Sequence, residues 1–242
     1  MPKSRTENVA ADGGIMPIYV SEPDGGGIAP AVIVFMEAFG VNGHIKKVAD
    51  QYAKEGFLVI SPDMYYRFGG NTVVGYNEIP KIMPMMQGMH DIQTSADVRI
   101  AIQFLKQQPR FKGTIGTVGY CMGGTLSWLA ACWNRDVKAA SVYYGGGLIT
   151  RQTSQKRPVS PHEYASLLTA PVLGNFGETD QNPPPADVKE VDALLTKLGK
   201  THDFKIYPGA GHGFNCDERS SYQKAAADDA YARTLAWFKK YL

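Results

Sequence analysis

The stretch that decides the fold runs from Thr114 to Gly124 and reads T-I-G-T-V-G-Y-C-M-G-G. Residues 114–118 predict a buried strand, and residues 122–133 predict a helix that begins almost at once. So sharp a turn requires glycines where side chains would collide, and it projects the residue at its tip beyond the carboxyl edge of the sheet. That residue is Cys121, in a G-x-S-x-G pattern with cysteine in place of serine. We therefore predict that Cys121 is a nucleophile, the alternative being a buried, inert cysteine in a glycine-rich turn.

Strand and helix patterns alternate on both sides of this turn. The other predicted strands occupy residues 15–20, 31–36, 57–61, 137–144, 171–176 and 204–207. The other predicted helices occupy residues 43–55, 91–108, 186–198 and 221–241, the first with Asn42 as its N-cap. This alternation predicts an α/β fold, with a mostly parallel central sheet and helices on both faces, in three layers. Because no shift in composition marks a linker, we expect residues 1–242 to form a single domain.

Two segments fall outside this alternation. Residues 1–14 form a polar arm, and residues 69–88 mix glycine, proline and apolar residues without a clear period, as in a lid or an irregular loop. The methionines in and beside the second segment are Met83, Met85, Met86 and Met89. They either line a pocket for an apolar ligand or fill gaps in the core, and gap filling is the simpler interpretation.

Composition argues against several classes of protein. Of the 242 residues 44% are hydrophobic and 20% charged, and the net charge of +2 is spread along the chain rather than gathered in a basic stripe. We therefore expect no nucleic-acid partner. No apolar run reaches the roughly 18 residues of a membrane span, and residues 1–14 lack the apolar stretch of a secretory signal. We expect a cytoplasmic protein that does not bind membranes.

The spacing of cysteines and histidines favours neither disulfides nor a metal. Cys121, Cys132 and Cys216 are too few and too scattered for a disulfide framework or a C-x-x-C metal pair, which points to free thiols in a reducing compartment. No two histidines have the i, i+4 spacing of a helical metal site. We expect no metal and no cofactor, and a monomer or a weak homo-oligomer.

A cysteine nucleophile needs a base, and the chain supplies one on a glycine loop after the last predicted strand. His212 stands in G-A-G-H-G-F, residues 209–214, and Asp180 stands in G-E-T-D, residues 177–180. Nucleophile, acid and histidine follow one another in this order in α/β-hydrolases, in which the acid orients the imidazole. We predict a triad of Cys121, His212 and Asp180, with Glu178 as the competing acid.

Two backbone amides are candidates for an oxyanion hole. Met122 follows the nucleophile, and Ala38 lies in the turn after the strand at residues 31–36. Glu37 in the same turn is a carboxylate at the end of a buried strand, which is costly without a partner. We expect Glu37 to hydrogen bond the Cys121 thiol or to influence its ionisation, the alternative being a surface glutamate.

Six short motifs together resemble the dienelactone hydrolase (carboxymethylenebutenolidase) family. They are M-E-A-F-G-V-N at 36–42, S-P-D-M-Y at 61–65, G-Y-C-M-G-G at 119–124, V-Y-Y-G at 142–145, G-E-T-D at 177–180 and G-A-G-H-G-F at 209–214. The resemblance spans nearly the whole chain. It implies an α/β-hydrolase fold, a Cys-His-Asp triad on Cys121, His212 and Asp180, a glutamate beside the nucleophile at Glu37, and hydrolysis of an enol-lactone without a metal.

The resemblance also implies a site for the substrate's carboxylate, which family members that hydrolyse dienelactone hold with arginines. The matching regions here lack those arginines. The stretch at residues 148–161, with its basic residues Arg151, Lys156 and Arg157, also looks longer than in short members and could reshape the entrance. The candidates for substrate binding are Lys81, Arg151, Arg219, Tyr144 and Phe39.

These residues predict an enzyme that hydrolyses a small-molecule ester or lactone. The Cys121 thiolate would attack the carbonyl, the two amides would hold the oxyanion, and His212 would activate water. One alternative is a hydrolase of the same fold that acts on a different carboxylic ester or a thioester. Another is a non-catalytic or redox-sensing protein in which Cys121 is oxidised rather than acylated.

Overall fold

A computed structural model describes residues 2–242, and within them eight strands form one sheet in the order β1-β2-β4-β3-β5-β6-β7-β8. The strands are β1 (Lys3–Ala11), β2 (Gly14–Glu22), β3 (Ala29–Phe35), β4 (Leu58–Pro62), β5 (Phe111–Tyr120), β6 (Val137–Tyr143), β7 (Val172–Gly177) and β8 (His202–Tyr207). Strands β1 and β2 pair in antiparallel fashion, as do β2 and β4, whereas every pairing from β4 through β8 is parallel. The predicted mostly parallel sheet is confirmed.

Six α-helices connect or flank the strands in the described part of the chain. They are α1 (Gly43–Lys54), α2 (Ile79–Gly88), α3 (Asp91–Lys106), α4 (Met122–Trp133), α5 (Pro185–Lys197) and α6 (Lys224–Tyr241). The predicted cap of α1 is confirmed, because the Asn42 side chain accepts a 3.0 Å hydrogen bond from the Ile45 amide. None of the helices in residues 2–242 has both the length and the apolar character needed to cross a membrane.

Two neighbouring residues of β5 demonstrate that helices cover both faces of the sheet. A Cβ atom on Gly116 would lie 3.0 Å from the Phe238 ring of α6. The next residue, Thr117, points to the opposite face, where its hydroxyl accepts a 2.9 Å hydrogen bond from Ser127 of α4. Strands β3 and β4 are accordingly buried almost throughout, as expected of strands covered on both sides. The three-layer α/β architecture is confirmed.

Two segments differ from the sequence-based expectations. Residues 3–11, expected to be a polar arm, form the edge strand β1, whose side chains alternate between exposed and partly buried positions, and Arg5 pairs with Glu22 of β2. Residues 79–88, expected to belong to a lid or an irregular loop, form α2. The prolines of this helix, Pro80 in its first turn and Pro84 inside it, conceal its periodicity in the sequence.

Candidate active site

The parallel strands bring the predicted site residues to one edge of the sheet. Glu37 follows β3, Cys121 follows β5, Tyr144 follows β6, Asp180 follows β7 and His212 follows β8. The carboxyl ends of parallel strands share an edge, so residues far apart in sequence meet there. The residue that follows each strand therefore determines which functional groups meet at this edge.

Cys121 lies at the tip of the turn between β5 and α4 in a strained backbone conformation. Its φ is +57° and its ψ is −122°, a region that costs a non-glycine residue on the order of 1–3 kcal/mol. The turn is held by neighbouring backbone, since the Cys121 amide donates to the Tyr143 carbonyl at 3.1 Å and the Gly124 amide donates to the Cys121 carbonyl at 3.0 Å. The side chain is partly exposed and faces a cavity. Strain of this kind at an accessible thiol is typical of a nucleophile.

The glycines of this turn are required by close backbone contacts. A Cβ on Gly119 would lie 1.8 Å from the Gly123 carbonyl oxygen, and a Cβ on Gly123 would lie 2.3 Å from the Phe35 carbonyl oxygen. The first turn of α4 therefore packs directly on the end of β3. This contact brings the segment that contains Ala38 close to Met122, the first residue of α4.

Asp180 and His212 form a hydrogen-bonded pair. Asp180 Oδ2 lies 2.9 Å from His212 Nδ1, and Asp180 Oδ1 accepts a 2.8 Å hydrogen bond from the Asn182 amide. Asp180 is only 1% exposed, so its carboxylate is fixed on both oxygens. The competing acid, Glu178, is exposed and accepts instead from the Gly209 amide at 2.8 Å. The structure therefore places Asp180, and not Glu178, beside the imidazole.

His212 interacts with both Asp180 and Cys121. Burial alone would lower the pKa of His212, but hydrogen bonds to Asp180 and Cys121, together with their negative charges, raise it from 6.5 to about 10. The Tyr144 ring packs edge-on against the imidazole, with ring centroids 5.2 Å apart. Cys121, His212 and Asp180 are therefore brought together as one chain of contacts, which favours the protonated imidazolium.

Glu37 is fully buried and belongs to a second group of side chains. Its Oε2 accepts a 3.3 Å hydrogen bond from the Tyr76 hydroxyl, and its Oε1 lies 3.6 Å from Arg219 Nη1. The Arg219 guanidinium stands 5.7 Å from the centroids of the Phe39 and Tyr76 rings. The alternative that Glu37 is a surface glutamate is wrong, because its side chain is buried. Glu37 accepts its hydrogen bond from the Tyr76 hydroxyl rather than from the Cys121 thiol.

Tyr144 links the two groups electrostatically. Its side chain is completely buried, and its hydroxyl has no hydrogen-bond partner within residues 2–242. Burial raises the pKa of Tyr144 well above its ordinary value, and the negative charges of Glu37 and Cys121 raise it further. The hydroxyl is therefore near both acidic groups and stays protonated.

The Cys121 sulfur and His212 open into a cavity of about 690 Å³. Its walls come from the end of α2, the start of α4 and the loop that follows β6, together with Asn182 and His212. They comprise Met86, Gln87, Met89, His90, Cys121, Met122, Thr125, Leu126, Gly146, Thr150, Gln152, Ser154, Gln155, Lys156, Arg157, Asn182 and His212. Two of the four singled-out methionines thus line a pocket, whereas Met85 is buried and Met83 is exposed. Among the described residues that form the walls there is no aspartate or glutamate.

The basic residues of the cavity differ from those expected. Lys81 is exposed and pairs with Glu78, and Arg151 is exposed and pairs with Asp187 at 3.0 Å. Arg219 lies beside Glu37, with its Nη1 3.6 Å from Glu37 Oε1. None of these three lines the cavity, nor do Phe39 and Tyr144, whose rings pack behind it.

The lysine and arginine side chains that do line the cavity are Lys156 and Arg157. Lys156 Nζ donates to the Gln87 carbonyl at 2.8 Å, and Arg157 Nε donates to Asp91 Oδ1 at 3.1 Å. Both contacts tie the loop after β6 to the end of α2 and the start of α3. The sequence signal was the unusual length and basic charge of residues 148–161, but the sequence did not rank these two residues above Arg151.

Comparison with known proteins shows the family. Residues 16–242 match the dienelactone hydrolase family. A carboxymethylenebutenolidase homologue from Methylorubrum extorquens is 35% identical over 230 residues, which cover 94% of this chain and 78% of the relative. A Bradyrhizobium homologue, named as a 2-oxo-3-(5-oxofuran-2-ylidene)propanoate lactonase, is 30% identical over 225 residues, which cover 93% of this chain and 89% of the relative.

A solved structure is similar over its full length. The crystal structure of a dienelactone hydrolase homologue from Klebsiella pneumoniae has a TM-score of 0.92 and 32% identity, and the match covers 100% of both chains. The predicted α/β-hydrolase fold is confirmed by this likeness. The chain therefore belongs to the dienelactone hydrolase family, a family of ester and lactone hydrolases.

Proposed function

We propose that the protein hydrolyses esters or lactones that carry a carboxylate, with Cys121 as the nucleophile, His212 as the general base and Asp180 as the residue that positions His212. The observation that supports this most is that Cys121 and His212 share one cavity, while the buried Asp180 carboxylate holds the far side of the imidazole at 2.9 Å. Nucleophile, base and orienting acid form one connected chain, as covalent catalysis requires.

The first half of the reaction forms a thioester. The Cys121 thiolate attacks the carbonyl carbon, and the negative charge that develops on the carbonyl oxygen is held by the amides of Ala38 and Met122. When the tetrahedral intermediate collapses, the carbon–oxygen bond to the leaving group breaks. The leaving oxygen takes its proton from the His212 imidazolium, which the raised pKa of about 10 keeps charged at rest. An enolate is a good leaving group, so a thiolate is a sufficient nucleophile for it.

The second half releases the acid. Neutral His212 now takes a proton from water, the resulting hydroxide attacks the thioester carbonyl, and the carbon–sulfur bond breaks. The products are the carboxylic acid and the Cys121 thiolate, with His212 protonated again. The N-terminus of α4 lies beneath the sulfur and stabilises the regenerated thiolate.

The cavity favours a substrate that has an anionic end and an apolar side. Lys156 and Arg157 supply positive charge to the wall; Arg157 pairs with Asp91 at 3.1 Å, whereas Lys156 donates to the neutral Gln87 carbonyl. Met86, Met89 and Leu126 supply an apolar wall. The Bradyrhizobium relative is named for a propanoate, which also carries a carboxylate. We infer that the carboxylate of the substrate lies against Arg157 and Lys156 while its carbonyl reaches Cys121.

The test is hydrolysis of cis- and trans-dienelactone beside a panel of neutral aryl esters, with Cys121→Ala as the variant. The matched control is Cys132→Ser, because Cys132 is buried in α4 and burial raises the pKa of its thiol. We expect lactone opening to vanish in the first variant and to persist in the second. Ester turnover without lactone turnover would retain the cysteine mechanism and refute the substrate class, whereas full activity of Cys121→Ala would refute the nucleophile.

A further inference from the structure

A cluster of three potential metal ligands lies outside the triad. Glu37, His44 and Cys216 each offer one ligand atom, and these atoms all lie within 4.8 Å of one another. Glu37 follows β3, His44 stands in the first turn of α1, and Cys216 lies four residues beyond His212. All three side chains are buried, with exposures of 0%, 3% and 0%. Carboxylate, imidazole and thiolate together form a donor set that suits zinc.

Three buried polar atoms of this cluster lack a hydrogen bond among the described residues. Neither ring nitrogen of His44 has a hydrogen bond within residues 2–242, and neither has Glu37 Oε1. A buried polar atom without a partner is costly, and most proteins avoid it. Glu37 Oε1 faces Arg219 Nη1 and His44 Nδ1 faces Asp217 Oδ1, each at 3.6 Å, so His44 Nε2 is the buried atom of the cluster left with neither a hydrogen bond nor an ion pair among the described residues.

We propose that Glu37, His44 and Cys216 bind one zinc ion. Bond lengths of about 2.3 Å to sulfur and about 2.1 Å to nitrogen and oxygen require ligand atoms roughly 3.5 Å apart, so a pair at the 4.8 Å limit closes by about an ångström. On binding, the Cys216 thiol releases its proton to solvent, and water completes the tetrahedral coordination.

Outer contacts and a route from solvent are already in place. Asp217 Oδ1 lies 3.6 Å from His44 Nδ1, which leaves His44 Nε2 for the metal, as in carboxylate–histidine–zinc arrangements. The Tyr76 hydroxyl accepts from Cys216 Sγ at 3.2 Å and donates to Glu37. A hollow of about 140 Å³, lined in part by His44 and Asp217, gives the ion access to the imidazole.

Arg219 is the group that opposes the ion. Its Nη1 lies 3.6 Å from Glu37 Oε1 and repels a cation there. The Arg219 side chain is 23% exposed, so it can turn towards solvent when the metal binds. Binding would tie the turn after β3 and the start of α1 to the loop that carries His212, two regions far apart in sequence. This inference is independent of the proposed function.

The experiment uses Co²⁺ as a spectroscopic substitute for zinc in the full chain carrying Cys121→Ala, which removes the active-site thiol as a competing ligand. We expect one equivalent of Co²⁺ to produce thiolate-to-cobalt charge-transfer absorption, and Zn²⁺ to displace it and raise the melting temperature. Adding Cys216→Ser, whose hydroxyl can still bond Tyr76, removes the absorption and the shift, whereas adding Cys132→Ser preserves both.

Further variants keep the test decisive. His44→Gln also removes the absorption, Asp217→Asn weakens Co²⁺ binding about 10-fold by removing an outer partner, and Arg219→Gln strengthens it by removing the opposing charge. Absence of the cobalt absorption in the Cys121→Ala protein would overturn the proposal. Its persistence in both Cys216→Ser and His44→Gln would do the same.

Discussion

Asp180 Oδ2 and His212 Nδ1 lie 2.9 Å apart, although the two residues are 32 positions apart and leave from different strands. A carboxylate can only accept a hydrogen bond, so the shared proton resides on Nδ1, and Nε2 is the nitrogen that faces Cys121. When His212 is neutral, the pair therefore selects the tautomer whose Nε2 is free to take a proton from water.

Replacement of Asp180 tests this relationship. Asp180→Asn removes the negative charge and permits the wrong tautomer, so we expect kcat/KM for an aryl ester to fall by about 10³-fold or more. Glu178→Gln is the matched control, since Glu178 bonds the Gly209 amide and not the imidazole, and its activity should stay near that of the unmodified protein. The opposite ranking of the two variants would assign the acid to Glu178.

The raised pKa of His212 predicts a pH-dependent stability. A histidine whose pKa rises on folding stabilises the folded state fully below its unfolded pKa, and it loses that contribution as pH rises through the folded pKa. For His212 the loss extends from pH 6.5 to about 10. We expect the difference in free energy of unfolding between the unmodified protein and His212→Gln to shrink over this range, as measured by urea unfolding. A constant difference would show that the pKa of His212 is not raised.

Gly123→Ala should disrupt the Cys121 turn. Its Cβ would lie 2.3 Å from the Phe35 carbonyl oxygen, which is backbone and cannot rotate away. We expect a loss of about 3 kcal/mol in free energy of unfolding and loss of esterase activity. Gly43→Ala is the control, because no atom lies within 4 Å of that Cβ, and its stability should change by less than about 0.5 kcal/mol. Equal stability of the two variants would contradict the tight contact between α4 and β3.

The carboxylate site can be located by KM. Arg157→Gln should raise KM for a carboxylate-bearing ester about 10-fold or more and leave KM for a neutral ester of similar size unchanged, since a charge-assisted hydrogen bond is lost. Lys81→Gln and Arg151→Gln alter cations outside the cavity and should leave both values unchanged. Arg157 also pairs with Asp91, so the Arg157→Gln change removes an ion pair as well. The melting temperature of this variant would show whether that loss destabilises the fold. A selective effect from Lys81 or Arg151 instead would relocate the site.

Glu37 is expected to influence the ionisation of Cys121. Its buried charge lies near the Tyr144 hydroxyl, as does the Cys121 charge, so a neutral replacement should favour the thiolate. We expect Glu37→Gln to shift the pH dependence of Cys121 alkylation by iodoacetamide to lower pH, with both proteins first treated with a chelator. Identical profiles would remove Glu37 from the control of Cys121.

The sequence predicted the chemistry of the site better than its walls. Cys121, Asp180 and His212 could be placed because each follows a recognisable strand in a glycine-rich motif, and the order along the chain restricts which residues can meet. Lys156 and Arg157 belong to a loop whose path has no period, so they could not be distinguished from Arg151 before the contacts with Gln87 and Asp91 were known.

Other features were invisible for different reasons. Helix α2 was hidden by Pro80 and Pro84, and β1 by its polar composition, which an edge strand tolerates. The approach of His44 to Cys216 depends on how α1 and the His212 loop pack at one edge of the sheet, and no local pattern encodes that distance.

Helix α2 lines the reaction chamber yet buries only Ile82 and Met85. Changes at its exposed positions therefore cost little folding free energy, whereas Cys121, Asp180 and His212 follow strands of the central sheet. Substitutions at α2 positions can therefore change substrate preference with little effect on stability. A mutant library for directed evolution can be restricted to this helix and to residues 150–157, most of which also line the cavity.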